Sequence, residues 1–187
     1  MRFQRSWWIA LLIAILPCAA SDPQRPTTRK TLDQATEIDG YPCSKGYAFV
    51  YTNSGHLSQC SVSRDIAIGA TQVPAGSLIR LSPDGEPLYV MLIHDSPIGE
   101  VKCKGGGLLG PGEGASTAIY PSGKLKECFL VGDQRVQGVP CMGGSFIADV
   151  FGGGSGTFFY ESGKLRSCKL SADFGNQHKG DRFFQSE

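Results

Sequence analysis

Seven cysteines, three histidines and a recurring aspartate are the side chains of this sequence that could do chemistry. His94-Asp95 is its one adjacent acid–base pair, and such a pair suits proton transfer when a nucleophile stands beside it. The aspartate also recurs where no histidine precedes it, as Asp65, Asp133 and Asp173, so its role is read as structural. His56 stands at a hairpin position that two other segments fill with lysine, and His178 lies in a polar tail, so both are expected at the surface. There is no Gly-x-Ser-x-Gly elbow and no His-Glu-x-x-His. No catalytic residue is assigned.

Metal and cofactor chemistry fare no better. Calcium needs six or more oxygens, and one carboxylate per segment makes no cluster; each repeated aspartate is expected to accept backbone N–H groups in an Asx-type turn. No Cys-x-x-Cys spacing offers zinc a ligand pair. Gly105 to Gly110 has the letters of a dinucleotide fingerprint, but that motif needs a helix behind it, and Pro111, Gly112 and Gly114 forbid one. No metal and no cofactor is expected.

The cysteines are better explained by where the chain goes. Arg2 and Arg5 precede the apolar block Trp7 to Leu16, followed by Pro17-Cys18-Ala19-Ala20, so residues 1–20 read as a secretory signal peptide cut after Ala20. The block is too short to span a bilayer, and no integral membrane span is expected elsewhere. A lipidated Cys18 is the lesser reading, because Leu16-Pro17 fits such processing poorly. Without Arg2 and Arg5 the formal charge moves from +1 to −1, which gives no overall basic excess for phosphate contacts, so nucleic acid is not expected as a partner. Without Cys18 six cysteines remain, an even number that reads as a disulfide framework in the periplasm or outside the cell.

The elements that must hold these residues are β-strands. Twenty-five glycines and 11 prolines mean many turns. Four segments align on a turn glycine, Gly55, Gly85, Gly123 and Gly163, and in each an aspartate follows ten residues later. Each reads as a hairpin, and pairs two apart such as Cys128 and Leu130 or Cys168 and Leu170 mark the buried side of its second strand. Connectors ending near Cys43, Cys103 and Cys141 join the units. In the second unit Val73-Pro74-Ala75 takes the place of Val139-Pro140-Cys141, and Val90 the place of the late cysteine. Both cysteines vanish together, so the two of one unit are expected to bond to each other, as Cys43–Cys60, Cys103–Cys128 and Cys141–Cys168.

The resulting expectation is an all-β chain of four antiparallel hairpin units at about 43–69, 75–99, 103–138 and 141–175. They form a twisted meander sheet or a closed barrel, within one domain at 37–187. Residues 21–36 are expected to be a flexible lead-in, although Leu32 to Cys43 matches Leu130 to Cys141 as a partial unit that could close a barrel against the last hairpin. Units three and four carry insertions at 104–116 and 142–156, where Leu108, Leu109, Phe146 and Phe151 could form a binding surface or pack as extra strands.

The turns Tyr120-Pro121-Ser122-Gly123-Lys124-Leu125 and Tyr160-Glu161-Ser162-Gly163-Lys164-Leu165 resemble the hairpins of MORN-type repeat proteins. The resemblance covers these turns alone and implies a sheet surface used for protein or lipid contact. The functional expectation is an exported, non-enzymatic interaction or structural protein whose partner is an unknown protein or envelope component. A small hydrolase-type enzyme using His94 and a secreted inhibitor are the alternatives.

Overall fold

A computed structural model describes residues 26–106, 116–144 and 156–187, and these form β-strands with antiparallel pairing and no helix. One open sheet of eleven strands dominates. From edge to edge it runs β1 (Thr27–Leu32), β3 (Tyr41–Tyr51), β4 (Leu57–Val62), β7 (Leu78–Leu81), β8 (Pro87–Met91), β11 (Thr117–Ile119), β12 (Leu125–Cys128), β15 (Thr157–Phe159), β16 (Leu165–Lys169) and β17 (Arg182–Phe184). β2 (Thr36–Ile38) pairs with the start of β3.

Four hairpins follow one another along this path, β3–β4, β7–β8, β11–β12 and β15–β16. In the last three, the N–H of the turn glycine donates to the carbonyl three residues back, as Gly85 to Ser82, Gly123 to Tyr120 and Gly163 to Tyr160. Each of these glycines has positive φ, the conformation that a hairpin loop of this length demands. Three residues past each turn glycine the register slips by one, leaving Ser58, Leu88, Lys126 and Arg166 as the extra residues of four β-bulges. A bulge re-aims its side chain, and that matters below.

Between the large hairpins lie small ones: β5 (Ile66–Ile68) with β6 (Thr71–Val73), β9 (Ser96–Ile98) with β10 (Val101–Cys103), and β13 (Gln134–Val136) with β14 (Val139–Cys141). Each turns in two residues, with positive φ at Gly69, at Gly99, and at Gln137-Gly138. They form a second layer over one face of the sheet. Ile68, Val73, Ile98, Val101, Val136 and Val139 from this layer share one buried cluster with Leu57, Ile79, Val90, Leu130, Leu165 and Leu170 from the sheet.

Three disulfides staple the fold, Cys43–Cys60 between neighbouring strands of the large sheet and the other two between a connector strand and the sheet. Cys43–Cys60, Cys103–Cys128 and Cys141–Cys168 have Cα separations of 5.7, 5.8 and 5.6 Å, and all six residues are buried. The tips of the connectors also dock on the turns of the large hairpins. The Thr71 hydroxyl donates to the Gly123 carbonyl at 2.7 Å, the Asp39 carboxylate accepts from the Leu57 N–H at 2.6 Å, and Gln137 bonds both the N–H of Leu165 and the carbonyl of Gly163 at 2.9 Å. Gly69 and Gly123 approach so closely that a Cβ on either would lie 2.2 Å from a backbone oxygen of the other turn.

Four sequence expectations need correcting. Residues 27–32 are not a flexible lead-in: they form β1, paired residue for residue with Tyr51 to Gly46 of β3, because the threonine-rich segment suits a strand and Leu32 reaches the core. The barrel alternative does not hold, since β1 and β17 are opposite ends of the path; the connector layer covers the inner face, so the core needs no closure of the sheet on itself. In the second unit Val73, not Ala75, stands where the others have cysteine, because Ile68 and Thr71 pair across their turn as Val136 and Val139 do. Finally, Asp65, Asp95 and Asp133 do accept backbone N–H groups, but not in local Asx turns. Their partners, Ala75, Gly105 and Gly143, lie ten residues on at 2.8, 3.0 and 2.9 Å, so each carboxylate clasps the two ends of a connector hairpin.

Candidate functional site

The inner face of the large sheet is covered, which leaves its outer face as the broadest surface the fold presents. Side chains alternate across a strand, so register fixes which residues share that face. Following the pairings from one edge to the other gives a single row: Arg29, Phe49, Gln59, Arg80, Tyr89, Ala118, Glu127, Phe158, Ser167 and Phe184. Tyr47 on the same face is 57% exposed and Phe184 is 69% exposed.

Cations sit over the rings of this face. The Arg29 guanidinium lies 4.5 Å from the Tyr47 ring centre, Arg80 lies 5.6 Å from Tyr89, and Arg182 lies 5.4 Å from Phe158. Arg80 also donates to the Tyr89 hydroxyl at 2.9 Å. The bulges add two more: Lys126 over Tyr120 and Arg166 over Tyr160, each at 5.6 Å. Strict alternation would aim Lys126 and Arg166 at the core, and the extra residue in each strand turns them outward. With Lys169, six cations occupy described strand positions of this face against one acid, Glu127. Burial pushes the Glu127 carboxyl above the usual carboxylate range, while Lys126 and Arg182 pull it back.

Two of these capped tyrosines, together with Tyr51, brace the sheet. Tyr51, Tyr120 and Tyr160 each donate a hydroxyl proton to a carbonyl of the next hairpin or strand, those of Leu81, Phe159 and Gln185, at 2.7, 2.9 and 2.9 Å. At Tyr120 and Tyr160 the cation rests on a ring that is itself held, an arrangement that limits the rotamer freedom lost when a ligand is bound.

Elsewhere the chemistry is thin. His94 is exposed, and the neighbouring Asp95 carboxylate is engaged by the Gly105 N–H. The structure does place two histidines beside acids that sequence reading did not join to them: His56 Nδ1 lies 3.4 Å from Asp39, and His178 Nδ1 lies 3.7 Å from Asp173. The approach of Asp39 to His56 follows from the register of β2, β3 and β4, a pairing result that one sequence does not display. Ser54 is close to His56, but its Oγ accepts the His56 backbone N–H at 3.3 Å rather than facing the imidazole. Backbone donation from Lys179 holds the Asp173 carboxyl below its ordinary range, with His178 adding to the effect. Among the described residues no three His, Cys, Asp or Glu side chains gather as a metal site.

A shallow cleft of about 270 Å³ opens between connector tips and hairpin turns, lined by Thr71, Ile98, Val101, Leu125, Phe159 and Gly163. Leu108, Leu109, Phe146 and Phe151, the candidate binding residues of the insertions, lie outside the described residues. The outer-face row was missed from sequence. Its signal was present as Arg or Lys beside a turn tyrosine in two hairpins, but the bulge that brings them together is a backbone event.

Three internal disulfides point to an oxidising, extracytoplasmic compartment. No helix among the described residues is long and apolar enough to cross a membrane. No protein-family model, curated protein or solved structure matches this chain.

Proposed function

We propose that this is an extracytoplasmic binding protein, non-enzymatic, whose working surface is the outer face of the large sheet. The observation that carries the reading is the row of cation-capped aromatic rings across that face, two of which, Tyr120 and Tyr160, are fixed by hydroxyl hydrogen bonds to neighbouring strands. Arginine and aromatic residues are the groups that carry most binding energy at recognition surfaces. The connector layer and its disulfides supply rigidity rather than chemistry. The likeness of the Tyr-x-x-Gly-Lys-Leu turns to MORN-type hairpins supports the same use of a sheet surface.

Hydroxyl-radical footprinting tests the reading. The oxidised protein is bound to insoluble cell-envelope material, exposed to radicals, and compared with the free protein by peptide mass spectrometry. Protection concentrated at Tyr47, Tyr89 and Phe158 is the expected result. Protection confined to the connector hairpins, or no retention on the material, would refute it.

A further inference from the structure

The outer face of the sheet is cationic, although the whole chain is close to neutral at +1. The outer face carries Arg29, Arg80, Lys126, Arg166, Lys169 and Arg182 against Glu127. The connector layer is mixed: Asp65, Asp95 and Asp133 clasp connectors and Glu100 and Asp39 sit at connector turns, but Lys102 and Arg135 stand in its small strands. A cationic face on a near-neutral protein marks an anionic ligand.

The arrangement of the cations narrows its shape. Arg29 and Arg80 lie in one cross-strand row, and Lys126 and Arg166 stand within one residue of it. Neighbouring strands are about 4.8 Å apart, so Arg29 to Arg80 spans about 14 Å, Arg80 to Lys126 about 14 Å, and Lys126 to Arg166 about 10 Å. The charges form a line about 40 Å long and about one residue wide. A line of charge fits a chain laid across the strands better than it fits a plane of lipid headgroups. The tyrosines along this line argue further: Tyr47, Tyr89, Tyr120 and Tyr160 are each covered by a cation, so these rings are not open platforms for the base stacking that single-stranded nucleic acid uses. What projects is the N–H edge of the guanidinium, which recognises carboxylate or sulfate in a bidentate way.

Resting on the reading of the outer face as the working surface, we infer that its occupant is a linear acidic polysaccharide bearing carboxylate or sulfate groups and lying perpendicular to the strands. A pyranose ring is about as long as one step between strands, so every third or second sugar of such a chain can present an anion to Arg29, Arg80, Lys126 and Arg166 along the row. Affinity falls as salt is raised, because the contacts are exposed charge pairs.

Titration calorimetry of the oxidised protein with polygalacturonate and with heparin tests this, beside neutral dextran, single-stranded poly-dT and phosphatidylglycerol vesicles. The expected result is salt-sensitive binding of one or both acidic polysaccharides and none of dextran. Arg29→Gln and Arg80→Gln each weaken it about tenfold, the loss of one charge-assisted hydrogen-bonded contact, and together about a hundredfold, since the sites are too far apart to couple. Arg135→Gln, on the connector layer, leaves affinity unchanged. Circular dichroism shows that the variants keep their fold. Failure of both polysaccharides to bind, tighter binding of poly-dT or of vesicles, or an equal loss from Arg135→Gln would overturn the inference. An outer-face footprint together with any of these outcomes would keep the face as the working surface and discard the polysaccharide.

Discussion

Replacing Cys103 and Cys128 together by valine isolates what a bridge between layers contributes. The second unit already has valine at both positions, and Val73 and Val90 are 1% and 0% exposed there, so the fold accepts a valine pair without a cavity or an unpaired polar atom. What is lost is the covalent constraint alone. The bridge closes a sequence separation of 25, for which the chain-entropy treatment gives a loss of about 3.5 kcal/mol. For a chain of this size each kcal/mol moves the thermal midpoint by about 2–4 °C, so the double variant should melt about 7–14 °C below the parent. Urea unfolding of the oxidised proteins, followed by near-ultraviolet circular dichroism, measures the free energy directly, and an unchanged slope would show that the unfolded states are comparable. A loss under about 1 kcal/mol would refute the reasoning, because it would mean that valine packing holds the connector as firmly as sulfur does.

Three further outcomes follow from particular contacts. Gly123→Ala should cost about 3 kcal/mol or more, since the new methyl would sit 2.2 Å from the Ile68 carbonyl oxygen, whereas Gly163→Ala, with positive φ but open space, should cost only about 1 kcal/mol in the same urea assay. Thr117→Val and Thr157→Val should each stabilise by about 1 kcal/mol, because both hydroxyls are buried without a hydrogen-bond partner; a lower urea midpoint in either would contradict this. The Asp173 carboxyl titrates below its ordinary range, so the stability it lends the C-terminal turn is complete above the unfolded carboxylate pKa and is lost as pH falls through its depressed folded value. The protection factor of the Lys179 amide, its exchange measured relative to the intrinsic rate at each pH, should therefore fall on acidification in the parent, and be low at every pH in Asp173→Ala.

Sequence periodicity made the all-β class and the antiparallel hairpins legible, because an apolar residue every second position after Gly55, Gly85, Gly123 and Gly163 has one structural reading. The large sheet, built from those hairpins in chain order, needs only the further rule that sequential hairpins lie side by side. What sequence did not reveal was the second layer. The connectors look like loops because each small strand is three residues long, too short for alternation to register, and only the pairing of Ile68 with Thr71 or Val136 with Val139 shows them to be hairpins. The same shortness put Ala75 instead of Val73 opposite the missing cysteine. The polar lead-in concealed β1 for a different reason: an edge strand with exposed threonines and Arg29-Lys30 has the composition of a linker, since charge on an edge discourages unwanted pairing.

The candidate face was hidden by the arithmetic of charge. A formal charge of +1 argues against a strongly basic partner surface only if cations and acids are mixed over the molecule. Here the connector layer needs acceptors for the N–H groups at the ends of its short hairpins, and Asp65, Asp95 and Asp133 supply them. The outer face has no such need, and its bulges turn Lys126 and Arg166 toward solvent onto Tyr120 and Tyr160. The connector carboxylates thus lower the net charge of the chain without neutralising the cations of the outer face. If Asp65, Asp95 and Asp133 were all changed to asparagine, the carboxamide oxygen could still accept the same N–H groups, and the formal charge would rise from +1 to +4 without altering the outer face. Affinity for an acidic polysaccharide should then rise only modestly, through long-range attraction that salt removes, while Arg80→Gln should weaken it as much as before. A large gain that persisted at high salt would show that overall charge, rather than the row of ring-borne cations, governs what this surface holds.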